Sequence, residues 1–206
     1  MGNRNWTPVA GPLCFFLVLV GVLVGAAFLV PSAARAALKL PKPPNPKDDF
    51  IFACSKVASY SQKEMKRKGE SRPLTPWQSY RLKLFFGDHI QGVEFRFNAK
   101  LSQFKVNGKV ISGPKDIQGR QFGNTVYVKN PQWDRSLGQL SLLAHEMVHI
   151  LQERQGVFPE KYCRAVWDAK LKYEDIKYER EAYAIQAQFD TFQKSVPDEV
   201  MTLHAP

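Results

Sequence analysis

Residues 145–149 read His145-Glu146-Met147-Val148-His149, a grouping of side chains that hydrolytic chemistry uses. Two histidines four residues apart project from one face of an α-helix, one turn apart, so their imidazoles can converge on one divalent ion. Glu146 points to the side, where its carboxylate reaches a water molecule activated by that ion without being a ligand. A bound Zn²⁺ lowers the pKa of such a water toward ~7, and a glutamate can take its proton and later pass it to a leaving amine. The pattern predicts peptide-bond hydrolysis, with His145 and His149 as metal ligands and Glu146 as general base. The plainer reading of the same residues is a pair of ordinary histidines on a packed helix.

A catalytic zinc site takes three protein ligands and keeps one position open. No third histidine follows closely, since His204 is far downstream. The acidic candidates are Glu179 and Glu181, in Tyr178-Glu179-Arg180-Glu181-Ala182-Tyr183. Helical spacing leaves both open. Glu181 lies nearer the apolar stripe of Ile185, Phe189 and Phe192 and is favoured by it, whereas Glu179 shares a face with Ala182, Tyr183 and Gln186.

These residues need helices to hold them. Ser136-Leu137-Gly138-Gln139 has capping-box spacing and predicts a helix from Ser136 to Gln155, stopped by Gly156, with Leu142, Leu143 and Ala144 packing its back. Upstream, Asp48 to Lys68 reads as a helix closed by Lys66-Arg67-Lys68-Gly69, cations and a glycine that suit a helix C-terminus. Thr75-Pro76-Trp77 opens a second helix, with Thr75 as cap, that ends at Gly87-Asp88-His89. Val93, Phe95 and Phe97 alternate with polar residues as in a strand. Asn107-Gly108 marks a hairpin, and Thr125 to Val128 is a strongly β-prone run. From Ser136 onward the pattern is helical. The fold class expected is α+β: a small mixed or antiparallel sheet, then the metal helix, then a second helix carrying the third ligand.

The stretch Leu142-Leu143-Ala144-His145-Glu146-Met147-Val148-His149-Ile150-Leu151-Gln152 resembles the zincin metallopeptidases of the glutamate-ligand type. Within them it is most similar to the domain of unknown function found alongside bacterial extracellular contractile injection systems. Looser similarity runs through Pro73-Leu74-Thr75-Pro76, Phe86-Gly87-Asp88 and Phe122-Gly123-Asn124-Thr125-Val126-Tyr127, so that residues 73–190 are covered. The resemblance implies a zincin-like fold and a Zn²⁺ cofactor. It also implies a third ligand from a Glu-x-x-Ala or Glu-x-x-x-Asp helix. Glu179 fits the first spacing, and on that ground is chosen over Glu181. Tyr183 stands where the family often has an Asp that orients a zinc histidine. The resemblance further implies that Thr125 to Val128 is an edge strand able to pair with an extended substrate. For the oxyanion, Tyr162, Tyr173, Tyr183 and His204 are the candidates.

Leu13 to Val30 is uncharged and apolar, preceded by Arg4 and followed by Ala34-Arg35-Ala36. This reads as a secretory signal cleaved after Ala36, or as a transmembrane anchor through residues 13–30, whose ~27 Å as a helix approaches a bilayer core of ~30 Å. Either places the remainder outside the cytoplasm or at a membrane. Residues 37–47 are proline-rich and read as a stiff linker, leaving 48–206 as one metallopeptidase domain. In an oxidising compartment Cys54 and Cys163 can pair; otherwise they are two buried thiols.

The 206 residues carry 29 Lys+Arg against 19 Asp+Glu, a formal charge of +10. With 44% hydrophobic residues and 14 Phe the chain is not a disordered one. The positive charge is spread along it without a nucleic-acid-binding signature, so nucleic acid is not an expected partner. A peptide or protein substrate is expected, together with attraction to an anionic membrane or cell-wall surface. An alternative function for the same residues is a catalytically degenerate zincin that serves as an envelope-associated binding or assembly module.

Overall fold

The computed structural model describes residues 46–65, 69–101, 103–106, 109–112 and 117–197. The apolar run 13–30, the cleavage point after Ala36, linker residues 37–45, Asn107-Gly108 and His204 lie outside the described residues. The expectation of a transmembrane helix is corrected: among the described residues no helix is long and apolar enough to cross a membrane. The longest helices are amphipathic and carry charges along their length, as Asp48, Asp49 and Lys56 do in the first of them.

The chain is α+β. Helix α1 (Pro46–Met65) begins two residues inside the expected linker and puts Asp48 and Asp49 in its first turn, where carboxylates suit the helix dipole. Gly69 follows at φ 78°. A Cβ there would sit 2.9 Å from the Phe97 carbonyl oxygen, so both the backbone angle and the space demand glycine. Strand β1 (Glu70–Ser71) leads to α2 (Pro76–Phe86), capped by Thr75 in a full capping box with Gln78. A 3₁₀ turn at Gly87–Ile90 precedes β2 (Glu94–Phe97), whose Phe95 and Phe97 face the core.

Strands β3 (Gln103–Val106) and β4 (Lys109–Ser112) form a separate antiparallel pair. The remaining strands are β5 (Gly119–Phe122) and β6 (Thr125–Val128), and the main sheet has the order β1-β2-β6-β5. It is mixed: β6 runs parallel to β2 and antiparallel to β5. The expectation that Thr125 to Val128 is an edge strand is therefore corrected. Phe122 pairs with Thr125, so the chain folds β5 straight back on β6, while β2 takes its other side. Among the described strands the edges of this sheet are β1 and β5.

Three further α-helices follow among the described residues: α3 (Leu137–Arg154), α4 (Glu160–Asp168) and α5 (Lys177–Ser195). Helix α3 packs over β5 and β6 on one face and along α5 on another. Leu140, Leu143, Ala144, Met147 and Val148 from α3 meet Phe95, Phe97 and Val126 of the sheet and Phe189 of α5 in one apolar cluster. Helices α1 and α4 pack against each other around Phe50, Cys54, Tyr162 and Val166, and a Cys54–Cys163 disulfide joins them. A third cluster, with Val57 of α1 against Leu101, Phe122 and Tyr127, backs the other face of the sheet. The metal-binding motif thus lies on a helix held between the sheet and α5.

Candidate metal centre

Ser136 caps α3 by accepting from the Gln139 amide at 3.2 Å, and the helix then carries His145 and His149 one turn apart on the face turned to α5. Their Nε2 atoms lie 3.2 Å apart. Glu179, in the first turn of α5, reaches between them: its Oε2 is 3.6 Å from His145 Nε2 and its Oε1 is 3.4 Å from His149 Nε2. Ligand atoms held 2.0–2.1 Å from a tetrahedral centre are separated by about 3.3–3.4 Å. The separation of the two imidazole nitrogens is close to such an edge, and the Glu179 carboxylate sets one oxygen at a similar distance from each of them. His145, His149 and Glu179 are buried and can hold a metal ion together.

The hydrogen bonds around the imidazoles decide which nitrogen carries a proton. His149 Nδ1 faces Gln152 Oε1 at 2.8 Å, and the Gln152 amide is oriented because its Nε2 donates to the Tyr178 carbonyl and to Glu181 Oε2, each at 3.0 Å. His145 Nδ1 faces Gln186 Oε1 at 3.0 Å; Gln186 Nε2 donates to Ser141 Oγ at 2.8 Å, and Ser141 donates in turn to Asp190 at 2.9 Å. An amide oxygen only accepts, so both histidines donate from Nδ1, which leaves Nε2 of each as the nitrogen that faces Glu179 and can ligate once free of a proton. Three electron-rich atoms converge in a dry site, an arrangement that a cation stabilises.

Glu179 is fixed as firmly. Tyr162 donates to its Oε1 at 2.9 Å, and Tyr173 donates to its Oε2. Burial, with the negative charge of Glu179 beside them, pushes both phenols well above their ordinary pKa and keeps them neutral donors. Burial alone would raise the Glu179 carboxyl, but the charge and hydrogen bonding of His149 and His145 outweigh it and hold the group well below the usual carboxylate range. For His149 the same balance runs the other way: burial lowers it, Glu179 raises it more, and the result is about 9.

Glu146 lies beside the three ligands. It is 0% exposed, and both carboxylate oxygens lack a hydrogen-bond partner among the described residues. Burial raises its pKa, opposed by the charges of His145 and His149. Such a carboxylate is costly to bury unless something polar meets it. Strand β5 approaches it so closely that a Cβ on Gly119 would stand 2.8 Å from Glu146 Oε1 and 2.9 Å from Leu142 Cδ1. Arg120, next on the strand, is buried, its guanidinium lowered to about 10 by burial against the opposing charge of Glu146.

The structure brings His145, His149, Glu146 and Glu179 together. Glu181 is exposed and is not among the converging atoms; it anchors Gln152 instead. Tyr183 packs its ring 4.6 Å from that of His145 and edge-on to Tyr173, and it is Gln186 that orients His145. Tyr162 and Tyr173, expected as oxyanion donors, spend their hydroxyls on Glu179. Sequence reasoning missed Gln152, Gln186, Ser141, Asp190, Gly119 and Arg120. A signal for two of them existed: Gln152 follows His149 by three residues and Gln186 follows Glu179 by seven, each on the face of its helix that carries a candidate ligand. No model of a known protein family, no curated protein and no solved structure matches this chain.

Proposed function

We propose that this chain is a zinc-dependent peptidase with a zincin-like fold, resembling the glutamate-ligand zincins, that acts outside the cytoplasm on peptide or protein substrates. The observation that carries the reading is the convergence of His145 Nε2, His149 Nε2 and the Glu179 carboxylate at 3.2–3.6 Å, with both Nδ1 atoms already engaged. Two imidazoles and one carboxylate suit Zn²⁺ better than Ca²⁺ or Mg²⁺. Bound there, Zn²⁺ supplies Lewis acidity to a substrate carbonyl and to a water molecule.

The chain's own residues do the rest. Glu146 removes the proton of the attacking water and delivers it to the leaving amine nitrogen. Gln152 and Gln186 keep the histidines in the ligating tautomer, and Tyr162 and Tyr173 hold Glu179 in place. An extended substrate would run along β5, the strand that touches Glu146 through Gly119, rather than along β6. The Cys54–Cys163 disulfide supports an oxidising compartment.

The test combines metal analysis with hydrolysis of unstructured peptides. Wild-type protein should hold one zinc and cleave, a chelator should abolish cleavage, and Glu146→Gln should keep the zinc while losing turnover. The enclosure of the centre favours a second reading, a zinc-binding assembly module without catalysis: His145 is 2% exposed, His149 4% and Glu146 0%. Stoichiometric zinc with no hydrolysis of any unstructured peptide would favour that reading over the first.

A further inference from the structure

A cleft of about 630 Å³ lies along the α4–α5 connection, and none of His145, Glu146, His149 and Glu179 lines it. Six cationic side chains line it, Lys161, Arg164, Lys170, Lys172, Lys177 and Arg180, against two carboxylates, Asp168 and Asp175. Asp168 is already occupied by Lys47 at 2.8 Å, and Arg164 has Glu160 at 3.3 Å. Among the described residues Lys161, Lys170 and Lys172 have no carboxylate within ion-pairing distance.

The cleft is built by ordered backbone rather than by drifting side chains. Lys170 and Leu171 adopt φ of 51° and 64°, a conformation that side-chain-bearing residues seldom take in succession. Their amides are tied back to the end of α4, Lys170 to Trp167 and Leu171 to Val166, while Lys172 is tied to Ala169. Helix α5 starts at the same place, with Lys177 and Arg180 of its first turn in the lining, so the partial positive charge of its N-terminus adds to that of the cations.

Six cations against two carboxylates leave the cleft strongly positive, a field that favours a bound counter-charge of matching density. An extended acidic peptide presents one side chain per face about every 7 Å, so few of its carboxylates would fit in a cleft of about 630 Å³. A bilayer surface cannot follow a concave wall. Linked phosphates carry several charges in a compact volume, and helix amides and guanidinium groups both receive them well. We propose that this cleft binds an anion carrying two or more linked phosphates, at a site separate from the metal centre.

The test is calorimetric titration of the full chain with tripolyphosphate at low salt. Saturable binding of one equivalent is expected, weakened at least tenfold in K170E/K172E and again in Lys161→Glu, with zinc content unchanged. A glycerol-phosphate oligomer with the same number of phosphates, titrated in parallel, separates a phosphodiester polymer from a free oligophosphate as the source: the tighter binder names it. Several results would overturn the proposal: no saturable binding, equal binding of citrate, or binding to anionic vesicles alone. So would affinity that survives in K170E/K172E but is lost in Glu179→Ala, because the anion would then sit on the metal.

Discussion

Replacing Gln152 by Leu keeps the volume of a buried side chain and removes the acceptor that fixes His149 in its ligating tautomer. In the wild type His149 Nδ1–H donates to Gln152 Oε1 at 2.8 Å in a site shielded from water. A buried donor left without a partner costs about 1–3 kcal/mol. That cost falls on the metal-binding form, because without zinc the ring in Gln152→Leu can give up its Nδ1 proton and keep the one on Nε2 that points at Glu179. At 1.4 kcal/mol per decade, 1–3 kcal/mol corresponds to about a 5- to 140-fold loss of zinc affinity, in line with the 10–100-fold typical of groups that orient metal ligands. Competition with a chromophoric chelator measures it, with the thermal transition of the metal-free protein as a control for folding. Glu181→Gln should cost less than tenfold, because Gln152 keeps its second anchor, the Tyr178 carbonyl. Zinc affinity within threefold of wild type in folded Gln152→Leu would refute the assignment of Gln152 as the orienting group.

Four further outcomes follow from the same geometry. Glu179→Ala should lose stoichiometric zinc and Glu181→Ala should keep it, as elemental analysis of the two proteins would read. Gly119→Ala forces Glu146 to move away from a new methyl group 2.8 Å from its Oε1, so turnover should fall with zinc retained, measured as kcat at saturating zinc. In the metal-free chain burial lowers His149 but Glu179 raises it further, to about 9; zinc must displace that proton, so its affinity should climb about tenfold per pH unit toward pH 9 and level off above, as titrations at stepped pH would show. Cys54→Ala with Cys163→Ala removes a cross-link spanning 109 residues, and about 4–5 kcal/mol of stability should go with it in urea unfolding.

The metal helix was legible because its signals are local. Ser136 caps it and the two histidines share a face whatever surrounds them. The same holds for Thr75 and Pro76 at the start of α2 and for the alternation of Phe95 and Phe97. The inward face of α5 was not legible from its apolar residues. Glu179, Ala182, Gln186, Phe189 and Gln193 run along it, and three of the five are polar; the stripe of Ile185, Phe189 and Phe192 therefore drew attention to Glu181. Polar residues are buried there because each has a partner across the interface, Gln186 with His145 and Ser141, Gln193 with Arg81. Such pairings depend on tertiary contacts that periodicity does not see. The sheet order was hidden for the same reason: the parallel pairing of β2 with β6 joins segments about thirty residues apart, and nothing local to either marks it.

The Cys54–Cys163 bond divides the molecule topologically. Everything from the end of α1 through both histidines lies inside the closed ring, whereas Glu179 hangs on the tail beyond it. A nick anywhere within the ring leaves one covalent molecule that separates into fragments only after a thiol is added. A nick between Cys163 and Glu179 instead detaches the acidic ligand from the two imidazoles. Limited digestion, run with and without reductant and followed by metal content, would therefore report where the chain has been cut.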